Sequence, residues 1–413
     1  MKRIGYILIV LIYSLGNVPL FAQTHEVYSP QIQCVQVVVD GNPQLPPLLD
    51  IDKQQHVEIS WDEMSHDYHR YIYHIQHCQY DWTPSDGIFE SDYLNGMNDQ
   101  PVEDYEKSFN TTQIYTHYSV RFPNPETGLR LSGNYKVLIY EDGGSKEEPI
   151  IEARFCIYEK AVSIHTEVSS DTDIDFNKQH QQVSLRLNYG GLTVTDPHEQ
   201  LRTVVMQNRR WDNRVVNPKA NIRNQNGIAF THCKELIFPA GNEFHKFEII
   251  DVNRAAMGVD RMEWFEPFYH ATLFAETPGR NYRYDEDQNG SFVIRCEDDE
   301  EESTTAEYVL VHFLLKSERL PGGDVYVTGQ WADGIFNEKY KMKYNELEQQ
   351  YEAIVMLKQG YYSYQFVQED GKTLRTMGDF YETENEYSTL VYFRAQGART
   401  DRLVGYSCVK TGK

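Results

Sequence analysis

The chain has little positive charge, few cysteines and few long apolar runs. Lysine and arginine number 39 against 62 aspartates and glutamates, a formal net charge of −23. A surface of that sign repels a phosphate backbone, so nucleic acid is excluded as a main partner. No segment beyond the N-terminus carries about 18 consecutive apolar residues, so nothing there spans a bilayer as a helix. Acidic residues on both faces of the candidate strands also disfavour an outer-membrane barrel. No Cys-x-x-Cys occurs, which removes zinc ribbons and thioredoxin-type redox pairs. Gly-x-Ser-x-Gly, His-Glu-x-x-His, the P-loop and the Rossmann glycine fingerprint are missing as well. No catalytic residue, cofactor or metal is therefore assigned, and the chain is read as a non-enzyme.

Aromatics are abundant, with 30 Tyr, 19 Phe and 5 Trp in 413 residues. Disordered chains lack them, so the protein folds, with length for two to four domains. Met1-Lys2-Arg3, an apolar run from Ile4 to Leu15 and Leu20-Phe21-Ala22 before Gln23 read as a cleaved signal peptide over residues 1–22. Its loss removes two positive charges. No cysteine follows the cleavage site, which argues against a lipoprotein. The expected location is the periplasm. The cysteines are Cys34, Cys78, Cys156, Cys233, Cys296 and Cys408. Export permits disulfides, and both buried thiols and one or two bridges remain open.

Strand patterns fill the chain. Val183 to Tyr189 alternates strictly between apolar and polar residues, the period of a strand with one buried face. Tyr135 to Tyr140, Ile151 to Tyr158, Phe292 to Cys296, Val325 to Thr328 and Tyr351 to Leu357 read alike. Turns such as Asp142-Gly143-Gly144, Pro321-Gly322-Gly323 and Asp370-Gly371 punctuate them. The expected fold is all-β: tandem immunoglobulin-like or early-set β-sandwiches. Boundaries are expected near Glu159 and at the acidic run Glu297 to Glu302, where like charges favour a solvated linker. They define an N-terminal domain over 23–159, a middle domain over 160–298 and a C-terminal domain over 303–413.

Two ligand-like patterns have simpler readings. His66, His69, His74, His77 and Cys78 are too far apart on one strand face, at about 3.3 Å per residue, to share an ion. Asp285, Asp287, Asn289 and Gly290 open like a calcium loop, but Cys296 stands where a glutamate is needed. A hairpin with a type I′ Asn-Gly turn is the better reading. In the third domain, Val325 to Gly334, then Tyr351 to Val367 and Asp370-Gly371, resemble the early-set sandwich of glycogen- and starch-binding modules. The tryptophan platforms that hold sugar there are missing at Gly334 and at Lys372-Thr373-Leu374. A periplasmic carbohydrate-binding protein, tested through Trp331, is the alternative function.

A more specific resemblance runs along the whole mature chain. It is carried by His77-Cys78-Gln79-Tyr80-Asp81-Trp82-Thr83-Pro84-Ser85, then Ser108-Phe109-Asn110-Thr111 and Tyr115-Thr116-His117-Tyr118. Leu131-Ser132-Gly133-Asn134-Tyr135 and Gln207-Asn208-Arg209-Arg210-Trp211-Asp212-Asn213 follow. Phe238-Pro239-Ala240-Gly241-Asn242-Glu243-Phe244, Leu357-Lys358-Gln359-Gly360-Tyr361-Tyr362 and Glu382-Thr383-Glu384-Asn385-Glu386-Tyr387 complete the order. Together they resemble the plug protein family of the type IX secretion system of Bacteroidota. Two departures are His245, where the family pattern has Arg, and Met377, where it has Glu. The resemblance implies a non-enzymatic periplasmic plug that occludes the periplasmic end of a SprA-type outer-membrane translocon barrel. The plug would reach the outer membrane through that partner rather than by spanning it. The motif residues Asp81, Trp82, Asn110, Gln207, Asn208, Trp211, Asn213, Asn242, Glu243, Glu384 and Asn385 are either fold-maintaining or contact residues. The polar loop positions Gln207, Asn208 and Asn213 are the better contact candidates.

Overall fold

The computed structural model describes residues 25–279, 281–297, 301–334, 336–368, 374–375 and 377–411. The signal peptide and the Asp370-Gly371 turn lie outside them. Strands dominate, and the described helices are single turns such as Glu90–Tyr93 and Pro197–Gln200. The alternating segment forms strand His180–Asn188, with Val183, Leu185 and Leu187 buried and Arg186 exposed.

The first sandwich faces two sheets. One runs His25–Val27, Ile151–Tyr158, Gly133–Glu141, Tyr71–Cys78 and Gln100–Pro101, with Leu48–Asp50 parallel to Ile151–Tyr158. The other runs Ile32–Val39, Val57–Glu63, Thr116–Phe122 and Asp104–Lys107. Trp61, Tyr71, Tyr118, Tyr135 and Phe155 fill the space between. Tyr135 donates its hydroxyl to the Leu131 carbonyl at 2.6 Å. Tyr362 repeats this bond to the Lys358 carbonyl at 2.6 Å in the third sandwich. A tyrosine tied to the backbone four residues upstream is a corner device of immunoglobulin-like sandwiches.

The expected division at 298–303 is crossed by hydrogen bonding. Strand Glu386–Phe393 pairs with Leu201–Gln207, and Arg402–Lys410 pairs with Glu386–Phe393. The last two strands thus return to the middle sandwich, whose core joins Val183, Leu185 and Phe238 to Tyr387, Val391 and Val404. Conversely, His245–Ile249 and Phe292–Ile294 both pair with Gly360–Gln368. The third core therefore runs from Phe247 to Met377. The third sandwich is an insertion in the second. Asp298, Asp299 and Glu300 of the acidic run lie outside the described residues; at its end Glu302–Thr305 is a helical turn leading into strand Tyr308–Lys316. Alternation marks a strand but not its partner, and here the partners lie far apart in the chain.

None of the six cysteines is in a disulfide. Cys78 and Cys156 sit opposite Asn134 on either side of it. Two strand spacings of about 4.8 Å hold them beyond the roughly 7 Å limit for a bridge.

Candidate functional site

The site is built where the three sandwiches meet. Loop 207–213 follows strand Leu201–Gln207 and reverses through positive φ at Asn208 (53°) and Arg209 (57°). Its hairpin partner turns similarly at Asn217 (φ 52°). Arg209 bridges the domains. Its Nε donates to Glu386 Oε1 at 2.8 Å, and its Nη2 to the Gln44 carbonyl of the first sandwich at 2.7 Å.

Gln207, Asn208 and Asn385 are buried, so the first two, expected among the contact candidates, take the fold-maintaining place instead. Their amides close a network inside the middle sandwich and its junction with the insert. Asn208 Nδ2 donates to Asn385 Oδ1 at 2.8 Å, and the Glu386 N–H donates to Asn208 Oδ1 at 2.8 Å. Asn385 Nδ2 donates to the Ala240 carbonyl at 2.7 Å. Gln207 Nε2 donates to the Pro239 carbonyl at 2.9 Å and is approached by Asn213 Nδ2 through Oε1 at 3.3 Å. Buried amides need such partners, which is why polar types occupy these positions.

Asn242, Glu243 and Glu384 sit at the two crossings between the middle sandwich and the insert. Asn242 Nδ2 donates to the Met377 carbonyl at 3.2 Å. Glu243 Oε1 accepts from the Tyr282 hydroxyl at 2.6 Å and from the Glu384 N–H at 3.1 Å. Burial pushes its carboxyl up to about 7. Burial likewise pushes Asp287 up to about 6. Asp287 accepts from the Phe244 and Asn289 N–H groups, so it splints a loop rather than opening a calcium site. Asn289 (φ 50°) and Gly290 (φ 85°) have the dihedral signs of a type I′ turn. Among the described residues no strand lies between Phe268–Leu273 and Phe292–Ile294, so the turn does not join the two strands of the expected hairpin.

Asp81 caps a local turn, accepting from the Thr83 N–H at 3.1 Å and hydroxyl at 2.6 Å. That turn holds Trp82 at φ 69°. Trp82 meets Trp211 edge to face at 5.4 Å, although 129 positions separate them in the chain. Guanidiniums flank the pair, Arg154 over Trp82 at 5.5 Å and Arg214 over Trp211 at 5.9 Å. Beside it lies a hollow of about 80 Å³, walled by Met206, Leu390 and Tyr406 and closed by Gln330 of the insert. Asn110 is apart from all this, exposed at φ 61° in the loop before Thr116–Phe122.

The histidine stretch converges on nothing. His66 contacts Ser108, His69 contacts Glu63, His74 contacts Asp99 and His77 contacts Ser85. Trp331 is 8% exposed in the insert's core, with Nε1 donating to the Ser363 carbonyl at 3.1 Å. It offers no face to a sugar.

Sequence reasoning missed a buried ionic lock between the first sandwich and the insert. Lys358 Nζ lies 2.6 Å from Asp62 Oδ2 and 2.6 Å from the Ser303 carbonyl. Asp62 also accepts from the Tyr308 hydroxyl at 2.7 Å and contacts His117 Nδ1 at 2.6 Å. Burial pushes the Asp62 carboxyl up, but Lys358 and His117 outweigh that and hold it below its usual value. Glu307 accepts from the Thr112 hydroxyl at 2.8 Å and the Gln113 N–H at 3.2 Å. The signal available was the Lys358 in an otherwise apolar strand end.

Residues 32–159 match the family described as "Type 9 secretion system plug protein 1st domain". No curated protein matches the chain. Among solved structures, a hypothetical protein from Parabacteroides merdae ATCC 43184 is 36% identical, with a TM-score of 0.90. The match covers 94% of this chain and 99% of that one.

Proposed function

We propose, from the premise that this chain belongs to one family with the Parabacteroides merdae protein and that its residues 32–159 match the first domain of type 9 secretion system plug proteins, that it is a non-enzymatic plug. It occludes the periplasmic end of a SprA-type outer-membrane translocon. It works from the periplasm after loss of its leader. Among the described residues no helix is long and apolar enough to cross a membrane, so attachment comes through the barrel.

The observation that carries this reading is the locked three-body architecture. A plug needs no chemistry, only a body that does not deform. Each sandwich here is fixed to both others. Size supports it. A globule of roughly 390 residues has a radius of gyration of about 21 Å, hence a diameter of about 55 Å. A barrel near 36 strands, tilted about 40° with strands about 4.8 Å apart, is about 70 Å across at its backbone. Its inward side chains leave about 60 Å clear. A body of that width spans most of such a lumen.

The test is affinity capture of the tagged protein, at native level, from gently solubilised envelopes. Recovery with a partner far above about 200 kDa is expected for a barrel of that size. Recovery of the monomer alone would overturn the reading.

A further inference from the structure

We infer that strand Val259–Phe265 is a self-association edge: two copies of the chain pair antiparallel along it, about a two-fold axis at Met262, and so join their insert sheets into one.

Three observations carry this. The first is an open backbone edge. Val259–Phe265 is the outermost strand of the insert sheet that continues through Phe268–Leu273, Tyr308–Lys316, Gln350–Lys358 and Lys343–Asn345. Among the described residues Phe268–Leu273 is its one strand partner, reached through the turn at Glu266 and Pro267. Phe265 and Phe268 close that hairpin as a hydrogen-bonded pair, and bonded and non-bonded pairs alternate along an antiparallel ladder. Met262 and Trp264 therefore turn their N–H and C=O groups outward, where no other backbone group of the described residues meets them. Such a row of unpaired donors and acceptors fits one kind of occupant, another extended backbone.

Second, the charge order selects a copy of the same strand as that backbone. Arg261 and Glu263 stand two residues apart on one face, with side chains 58% and 42% exposed, and Arg261 Nε donates to Glu263 Oε2 at 2.8 Å. Pairing about Met262 sets Arg261 of each copy directly opposite Glu263 of the other, at about 5 Å between Cβ atoms. Charges of alternating sign then surround the axis, and each contact is made twice, as a two-fold interface requires. Centring the axis on Arg261 or on Glu263 would set like charges face to face, so the charge order also fixes the register. The register slip at Asp260 confines the regular pairing to Arg261, Met262 and Glu263. Third, exposed apolar side chains flank that pairing. Trp264 and Phe265 are 47% and 56% exposed, and Met257, just ahead of the strand, is 41% exposed. In this register Trp264 lies diagonal to Met262 of the other copy, and Phe265 lies toward the other copy's Val259 and Met257.

The inference goes beyond the barrel reading and does not rest on it, because it concerns the isolated chain in solution. One strand edge buries less than a standard interface of about 1,600 Å², and a net charge of −23 on each copy opposes their approach. A Kd on the order of 10–100 μM is therefore expected. Sedimentation velocity of the full exported chain, up to about 300 μM, reads it. Arg261→Glu and Glu263→Arg each set like charges across the axis and should each weaken dimerisation about ten- to a hundredfold. An equimolar mixture of these two variants restores opposite charges across the axis. It should associate within about threefold of the unaltered chain. Both side chains are exposed, and association of the mixture shows that both variants are folded. Hydrogen exchange at Met262 and Trp264 should slow as the concentration of the unaltered chain passes through the Kd. A chain that stays monomeric over that range would overturn the proposal. So would a dimer that either single reversal leaves intact, or a mixture that associates no better than its two components.

Discussion

Removing Lys358 tests whether the insert and the first sandwich are one body. In Lys358→Met the ammonium 2.6 Å from Asp62 disappears, and a carboxylate that is 1% exposed keeps only Tyr308 and His117 as partners. Breaking a buried pair by removing one partner costs about 3–5 kcal/mol. Methionine retains most of the stem that packs on Tyr115, where the ammonium lies 4.2 Å from the ring centre. The loss is therefore electrostatic more than steric. It falls on the contact between the two bodies, where the Phe109 N–H donates to the Thr304 carbonyl at 3.0 Å. Hydrogen exchange of residues 108–116, read by mass spectrometry, reports opening of that contact. At about 1.4 kcal/mol per factor of ten, protection should fall by roughly two to three and a half orders of magnitude. Asp62→Asn combined with Lys358→Met removes both charges. The double variant should be better protected than the sum of the singles predicts, by about 2–3 kcal/mol. The Asp62 carboxyl is held below its usual value of 3.8. Its contribution is accordingly present above that value and is lost only as pH falls below it, so the loss of protection caused by Lys358→Met should be the same from neutral pH down to about 4. A loss under tenfold in Lys358→Met, or strict additivity in the double variant, would refute the lock.

Glu243→Gln keeps an Oε1 acceptor for Tyr282 and the Glu384 N–H while removing a charge that burial resists. With the folded carboxyl near 7 and its ordinary value at 4.5, the native state loses stability as pH rises between the two. The substitution should be neutral at pH 5 and stabilising at pH 8, by about 1–2 kcal/mol after solvent screening, as read from urea midpoints. Tyr135→Phe and Tyr362→Phe each orphan a corner carbonyl, at a cost of about 1–2 kcal/mol in the same titration. Because no cysteine is in a disulfide, denatured unreduced protein should titrate six thiols with Ellman's reagent, and a reductant should leave the thermal midpoint unmoved. Four thiols or fewer would contradict the absence of a disulfide.

Local rules are legible in this sequence, and long-range partnership is not. Val183 to Tyr189 alternates because one face packs and the other meets water, and the strand lies where alternation puts it. Tyr71, Tyr73 and Ile75 share with His77 the face that period two assigns them, and the first three enter the core of the first sandwich, while the other face of the strand is largely buried too. Alternation says nothing of which strand lies alongside. Leu201–Gln207 pairs with Glu386–Phe393 across nearly half the chain, and the intervening insert carries its own complete pattern. At the site, Gln207, Asn208 and Asn213 read as the better contact candidates because loops ordinarily meet solvent. Asn208 and Asn385 show the exception: a loop that turns back into the junction brings its polar groups with it, and amides are chosen because they satisfy one another there. Trp82 and Trp211 gave no sign in sequence that they would meet.

The insertion explains how three small sandwiches act as one body. Tandem domains joined end to end have one covalent link per junction and are free to bend there. The insert leaves and rejoins the middle sandwich through two crossings, at Gly241-Asn242-Glu243 and Met377 to Glu384, which are tied to each other by Asn242 and Glu243. That alone permits a hinge about the pair. Lys358 and Glu307 then fasten the insert to the first sandwich. The first sandwich is fastened to the middle one by Cys78, Cys156, Leu390 and Leu403 in a shared apolar cluster and by Arg394 reaching Gln79 at 2.7 Å. The contacts close a ring of three, and a hinge at any one junction must break another. On the plug reading proposed above, opening would have to displace the whole body, so control would lie in its affinity for the rim rather than in its own flexibility.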